Sequence, residues 1–121
     1  MGVPTFRALF AYCERARIGG MNVISRRAIR EAQLSNPRCR TWLEAWWKNA
    51  KREQWTSLHD VRQTYSSADQ VAGYLVFDAP EGKRLIVGVK YARGIRPRGG
   101  TLFVKRFLNH REYERGTWKG R

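Results

Sequence analysis

Acidic side chains are scarce in this chain. Its 121 residues hold 10 Asp and Glu against 24 Lys and Arg, for a formal net charge of +14 and a sequence pI near 10.9. The carboxylates that remain, Glu53 and Asp60 among them, show no metal-ligand spacing, so no metal and no other cofactor is expected. Cysteine is nearly absent too. Cys13 and Cys39 form neither a metal spacing nor a disulfide framework, which fits a reduced intracellular protein. No apolar run approaches the length of a membrane helix. The short apolar patch at residues 8–12 is followed, not preceded, by Arg15 and Arg17, the wrong order for a secretory signal. Glu14 and the brevity of the segment argue against an organelle presequence. Repeats and low-complexity segments are missing. These absences predict a cytoplasmic protein that does not engage a membrane as a spanning segment.

What is present is positive charge. A domain this basic meets a polyanion, because Lys and Arg gain by displacing phosphate counterions. Nucleic acid is the leading partner class; an anionic membrane surface and a merely well-solvated surface are the rivals. Arg predominates over Lys, which suits phosphate forks and base stacking. The length allows one domain with a modest core. Gly19-Gly20 before Met21 marks a seam. Residues 1–20 read as an N-terminal extension, either an alternative start or a poorly ordered arm, and residues 21–121 as the domain.

Local signals set the order of elements. Residues 21–24 form a short apolar strand. Ser25 caps a helix over 26–35, with Ala28, Ile29 and Ala32 on one face. Asn36-Pro37 opens a second helix that runs to about residue 51, with Trp42, Leu43, Trp46, Trp47 and Ala50 as its apolar set. That spacing marks the tryptophans as core. Ser57 and Asp60 resemble a capping box for a short helix presenting Leu58 and Val61. His59 lies on its solvated face. Strands follow over 73–77, 84–91 and 101–108, joined by turn chemistry at 79–82 and by the basic Gly/Pro loop RGIRPRGG at 93–100. The fold class is α+β, an antiparallel sheet with helices packed on one face.

Alternation along the strands sorts candidate site residues. Leu85, Val87, Val89 and Tyr91 belong under the helices. Arg84, Ile86, Gly88 and Lys90 then share the open face, where Gly88 leaves room for a ligand backbone. In the last strand Leu102, Val104 and Leu108 read as core. Phe103, Lys105 and Phe107 face outward, two aromatics able to stack on bases beside a cation. Arg106 does not fit strict alternation; it lies at the sheet edge, or a bulge re-aims it. Just beyond the strand come His110, a near-neutral proton-transfer group, and Tyr113. The plainer alternatives are that His110 caps the strand and that Tyr113 fills space under the C-terminal turn.

From Met21 onward the ordered pieces MNVISRRAIREA (21–32), WWKNAKREQWTSLHDVRQTYSSA (46–68), LVFD (75–78), RLIVGVKYARG (84–94) and FVKRFLNHREYE (103–114) resemble a known family. The chain is similar to the HigB-type mRNA interferase toxins of the RelE/ParE superfamily. The resemblance implies a RelE-like fold and a ribosome-dependent endoribonuclease that cuts mRNA in the ribosomal A site. It also implies neutralisation by a helix-turn-helix antitoxin of the HigA type. Two departures stand out: the loop at 93–100 is longer than the family's tight hairpin, and the family's terminal Tyr-Asp is here Tyr113-Glu114.

Such chemistry needs no protein nucleophile, since the RNA's own 2′-OH attacks the adjacent phosphorus. The protein must align the backbone, stabilise the phosphorane's charge and move two protons. Lys105, His110 and Tyr113 are the catalytic candidates. Arg84, Lys90, Arg93, Arg96, Arg98, Phe103 and Arg106 are the RNA-binding candidates. Two other classes remain open: a non-catalytic RNA- or DNA-binding module, and a ParE-like toxin that poisons gyrase.

Overall fold

The computed structural model describes residues 20–120. The expected extension, apart from Gly20, lies outside the described residues, and Cys13 lies there with it. Ser25 starts the first helix as its sequence predicts: its Oγ accepts from the Ala28 amide at 3.1 Å. That helix, α1 (Arg26–Ser35), follows strand β1 (Asn22–Ile24). A 3₁₀ turn at Pro37–Cys39 leads into α2 (Arg40–Arg52). Asn36 does not cap α2 as expected. Its side-chain amide donates to the Ala32 carbonyl instead, closing the end of α1. The short α3 (Leu58–Thr64) starts at Ser57, whose Oγ accepts from the Asp60 amide at 3.4 Å. Asp60 answers with Oδ2, which accepts from the backbone and hydroxyl of Thr56 rather than from Ser57.

Four strands complete the sheet: β2 (Asp69–Val71), β3 (Tyr74–Asp78), β4 (Arg84–Lys90) and β5 (Thr101–Leu108). Their spatial order is β1-β5-β4-β3-β2. β1 runs parallel to β5, and the other neighbours are antiparallel. β2 is absent from the sequence reading. It is three residues long, and its hairpin turns through Ala72 and Gly73 at φ 54° and 85°. Alanine there replaces the Asn or Gly that usually announces such a turn.

One face of the sheet carries the main core. Ile29, Leu43, Trp46 and Ala50 from the helices meet Leu75, Phe77, Leu85, Val87 and Leu102 from the strands, all buried. Phe77 is the hub, with Trp46, Trp55 and Tyr65 around it at centroid distances of 5.5, 6.1 and 5.3 Å. Each such side chain contributes roughly 1.5–3 kcal/mol by leaving water. Tyr65 keeps its hydroxyl satisfied through the Asn49 amide at 2.9 Å. Burial raises its pKa above the ordinary phenol value.

The opposite face is partly covered, which the sequence reading did not foresee. Residues 109–120 turn back over it. Asn109 and Glu112 form a reciprocal capping box that starts α4 (His110–Arg115), and Gly116 ends it at φ 74°. A closing 3₁₀ turn, Thr117–Gly120, brings Trp118 onto Val76, Ile86 and Leu108, all buried. Ile86, assigned to an open face, is therefore fully buried.

Candidate nucleic-acid interface

A β-bulge builds this face. Along most of their length β4 and β5 pair one to one, but Val87 opposes Val104 while Ile86 opposes Arg106. Lys105 is the extra residue between them. Before the bulge, Leu102 and Val104 share the helix side with Val89 and Val87. After it the phase reverses, so Phe107 turns to the helix side opposite Leu85, while Arg106 and Leu108 lie opposite Ile86 and Arg84 on the other face. This resolves the misfit of Arg106. It also corrects two assignments: Phe107 packs against the main core rather than standing free, and Leu108 packs under Trp118 rather than under the helices.

The face is organised in rows across the sheet. Tyr74, Gly88 and Phe103 form one row and Val76, Ile86 and Arg106 the next. Asp78, Arg84 and Leu108 form the third. Gly88 leaves a dip between Tyr74 and Phe103; a Cβ added there would rest 3.6 Å from the Cβ of Phe103, in ordinary contact. Phe103 is 46% exposed, among the most exposed large apolar side chains described. The Lys105 ammonium lies 5.3 Å from the centre of the Tyr74 ring. Tyr74 was not among the sequence candidates. The signal was its spacing of two from Val76 on one strand face, legible only once that face is known to be the outer one.

Toward the exit of β5 the aromatic row continues. Trp118 stands 6.1 Å from Tyr74 and stacks on Tyr113 at 5.2 Å with an interplanar angle of 18°. The Trp118 indole NH donates to the Tyr113 carbonyl at 3.0 Å, fixing the pair. The Arg84 guanidinium carbon lies 5.4 Å from the Tyr113 ring centre. Arg84 is also held by Asp78 at 3.1 Å and by the Lys83 carbonyl at 3.2 Å, so much of its hydrogen-bonding capacity is used within the fold. Tyr113 is thus neither buried filler nor fully free: its ring is held on one flank by Trp118 and approached by a cation. His110, at the first turn of α4, is well exposed, with Nε2 3.8 Å from Glu114 Oε2.

Lys105, Arg106, Phe103, Arg84 and Tyr113 are therefore brought to one face, with His110 at its lower end. Among the described residues no hydrogen bond or ion pair joins Lys105, His110 and Tyr113, and Trp118 stands between Tyr74 and Tyr113. Lys90 is exposed at the far end of β4, opposite Thr101. Arg93, Arg96 and Arg98 are exposed beyond that same end. Four residue steps of β5 separate Lys105 from that end, about 13 Å at strand rise. The loop arginines thus do not join the cluster around Lys105.

The fold and this face define a small α+β protein with a RelE-like sheet and a basic, aromatic-lined outer surface. Residues 39–116 match the family model of the HigB toxins, the RelE-like toxic component of a toxin-antitoxin system, and the chain belongs to this family. It is accordingly a toxin with an antitoxin partner. No curated protein matches the chain. Among the described residues, no helix is long and apolar enough to cross a membrane.

Proposed function

We propose that this toxin is an endoribonuclease that cleaves mRNA in the ribosomal A site by metal-independent attack of the RNA's own 2′-OH. The observation that carries the reading is the bulge, which turns Lys105 and Arg106 onto the same side of the sheet as Phe103 and Tyr74. Cations for a phosphate and aromatic faces for its flanking bases then lie side by side. In this reading Phe103 and Tyr74 stack the bases about the scissile phosphate, and the dip at Gly88 admits the backbone. Lys105 and Arg106 stabilise the charge that builds on the equatorial oxygens. The O2′–P bond forms as the P–O5′ bond breaks, leaving a 2′,3′-cyclic phosphate and a 5′-OH. His110 and Tyr113 are the pair that takes the 2′-OH proton and returns one to the leaving oxygen, and Glu114 orients the imidazole. Arg84 acts next to Tyr113. The separation of these groups is compatible with a site completed when RNA binds, since catalytic contacts often tighten only in the loaded complex. The neutralising partner is a HigA-type helix-turn-helix antitoxin.

Cleavage by the purified protein, with and without ribosomes and with a chelator in both, tests this. Ribosome-stimulated, chelator-resistant cleavage is expected. Binding without turnover would replace the reading by a non-catalytic RNA-binding module. A DNA-damage response on expression, with transcripts intact, would point to gyrase.

A further inference from the structure

The arginine loop at the other end of the hairpin is built as a separate element. Its base is fixed on both sides. Tyr91 donates its hydroxyl to Gln70 Oε1 at 2.8 Å, and the Ala92 amide donates to the Trp55 carbonyl at 2.9 Å. On the return side the Gly100 carbonyl accepts from the Asn22 amide at 2.9 Å. Gly100 packs so tightly that a Cβ there would meet Met21 Sδ at 2.4 Å. Between these anchors Arg93 and Arg98 exchange both backbone hydrogen bonds, at 2.9 and 3.1 Å. The tip between them is Gly94, Ile95, Arg96 and Pro97, with Ile95 fully exposed.

That geometry sets two arginine residues directly opposite each other on a two-stranded ribbon and adds a third at the tip. Like charges in such a pair repel and destabilise it. Among the described residues no carboxylate pairs with any of the three, nor with Arg30, Arg40, Arg106, Arg111 or Arg115, while Arg26, Arg27, Arg38, Arg62 and Arg84 each have one. A row of phosphates spanning the pair would convert the repulsion into binding. The tip carries no aromatic ring, so it lacks the stacking platform that unpaired bases require. Its form, a narrow ribbon with cations on both flanks and a small apolar point, suits the wide, shallow minor groove of A-form RNA with phosphates along each rim.

We propose that the loop at 93–98 is a second RNA-binding site, specific for paired RNA and separate from the face that holds the single strand. The proposal rests on the chain being an RNA-binding toxin but not on its cleaving RNA. The test uses the full chain and three probes: an RNA duplex of about 20 base pairs, a single strand with 2′-O-methyl sugars that cannot be cut, and vesicles of anionic phospholipid. The triple variant Arg93→Ala, Arg96→Ala, Arg98→Ala should bind the duplex at least about tenfold more weakly. Its slope of log affinity against log salt should fall by about 2 to 3. Its affinity for the single strand should be nearly unchanged. The variant Lys105→Ala, Arg106→Ala should show the reverse pattern. Arg93→Gln with Arg98→Gln keeps the side-chain stems and should behave like the triple variant if the charges are what matter. Duplex affinity that survives in both loop variants overturns the proposal. So does an equal loss toward both RNA probes, which would make the loop a general source of charge. Loss of binding to anionic vesicles with duplex binding intact would overturn it in favour of a lipid surface. If no variant cleaves RNA yet the split between the RNA probes holds, the cleavage reading fails alone.

Discussion

Deleting Lys105 should leave the protein folded and abolish most of its activity. Val104 opposes Val87 and Arg106 opposes Ile86, so Lys105 has no partner in β4. Without it, Val104 and Arg106 become neighbours opposite two consecutive β4 residues. The ladder is then regular, Arg106 and Leu108 keep the outer face, and Phe107 keeps the core. The loss is one cation over Tyr74 at 5.3 Å, about 0.5–1 kcal/mol at a partly exposed site. For a domain near 100 residues that lowers the melting temperature by no more than about 8 °C. Cleavage should fall by about two to three orders of magnitude, the usual loss for one electrostatic contact to a transition state. Deleting Phe107 provides the contrast. It would drive Leu108 to the helix side and pull α4 and Trp118 off the face they cover, at a cost of at least about 3 kcal/mol. The assay is thermal unfolding by circular dichroism beside relief of growth inhibition. An unfolded Lys105 deletion beside a stable Phe107 deletion would refute the register argument. A stable and fully toxic Lys105 deletion would refute the role of the cation.

His110→Ala should reduce cleavage by about two to four orders of magnitude with the fold intact, because the ring is exposed; Tyr113→Phe keeps the stack on Trp118 and separates hydroxyl chemistry from stacking. Trp118→Ala should cost about 3–5 kcal/mol in a denaturant titration, since it uncovers Val76, Ile86 and Leu108. Acid should weaken the fold. Hydrogen bonds from the Thr56 hydroxyl and then its amide hold Asp60 below the usual carboxylate range, and those from Arg26 and then Gln33 do the same for Glu44. Depressed folded pKa values stabilise the protein above the ordinary carboxylate pKa, and that contribution is lost as pH falls through the folded values; Asp60→Asn should flatten this part of a stability-against-pH curve. A chain lacking residues 1–19 but keeping Gly20 should retain its melting temperature, because Met21 already lies in the core with its amide donating to the Glu53 carbonyl at 2.9 Å.

Where the causes are local, the sequence was legible. Ser25 needs only the amide of Ala28 three residues on to announce α1, and the spacing of Leu43, Trp46 and Ala50 marks the buried side of α2 without reference to anything else. Strand β4 could be sorted because its alternation is regular. The bulge was not readable in the same way, since it exists only between two strands; its one trace was Arg106, a charge in the phase of core residues. Phe107 and Leu108 were assigned to the wrong sides for that reason. The same limit hid the parallel pairing of β1, which three residues cannot specify, and the cover of Ile86 by Trp118, which depends on a turn 32 positions away in the chain. The sequence groups Arg84, Arg93, Arg96, Arg98 and Arg106 in one candidate interface. Strand direction divides them, because residues at the start and end of β5 lie at opposite ends of the sheet.

The most direct test of the central reading is the chemistry of the cut ends. A ribosome-bound transcript should yield fragments ending in a 2′,3′-cyclic phosphate and beginning with a 5′-OH, and a single 2′-deoxy sugar on the 5′ side of the cut should abolish cleavage there. Fragments that begin with a 5′-phosphate, or cleavage that persists at the deoxy position, would contradict attack by the RNA's own hydroxyl and with it the roles given to Lys105, His110 and Tyr113.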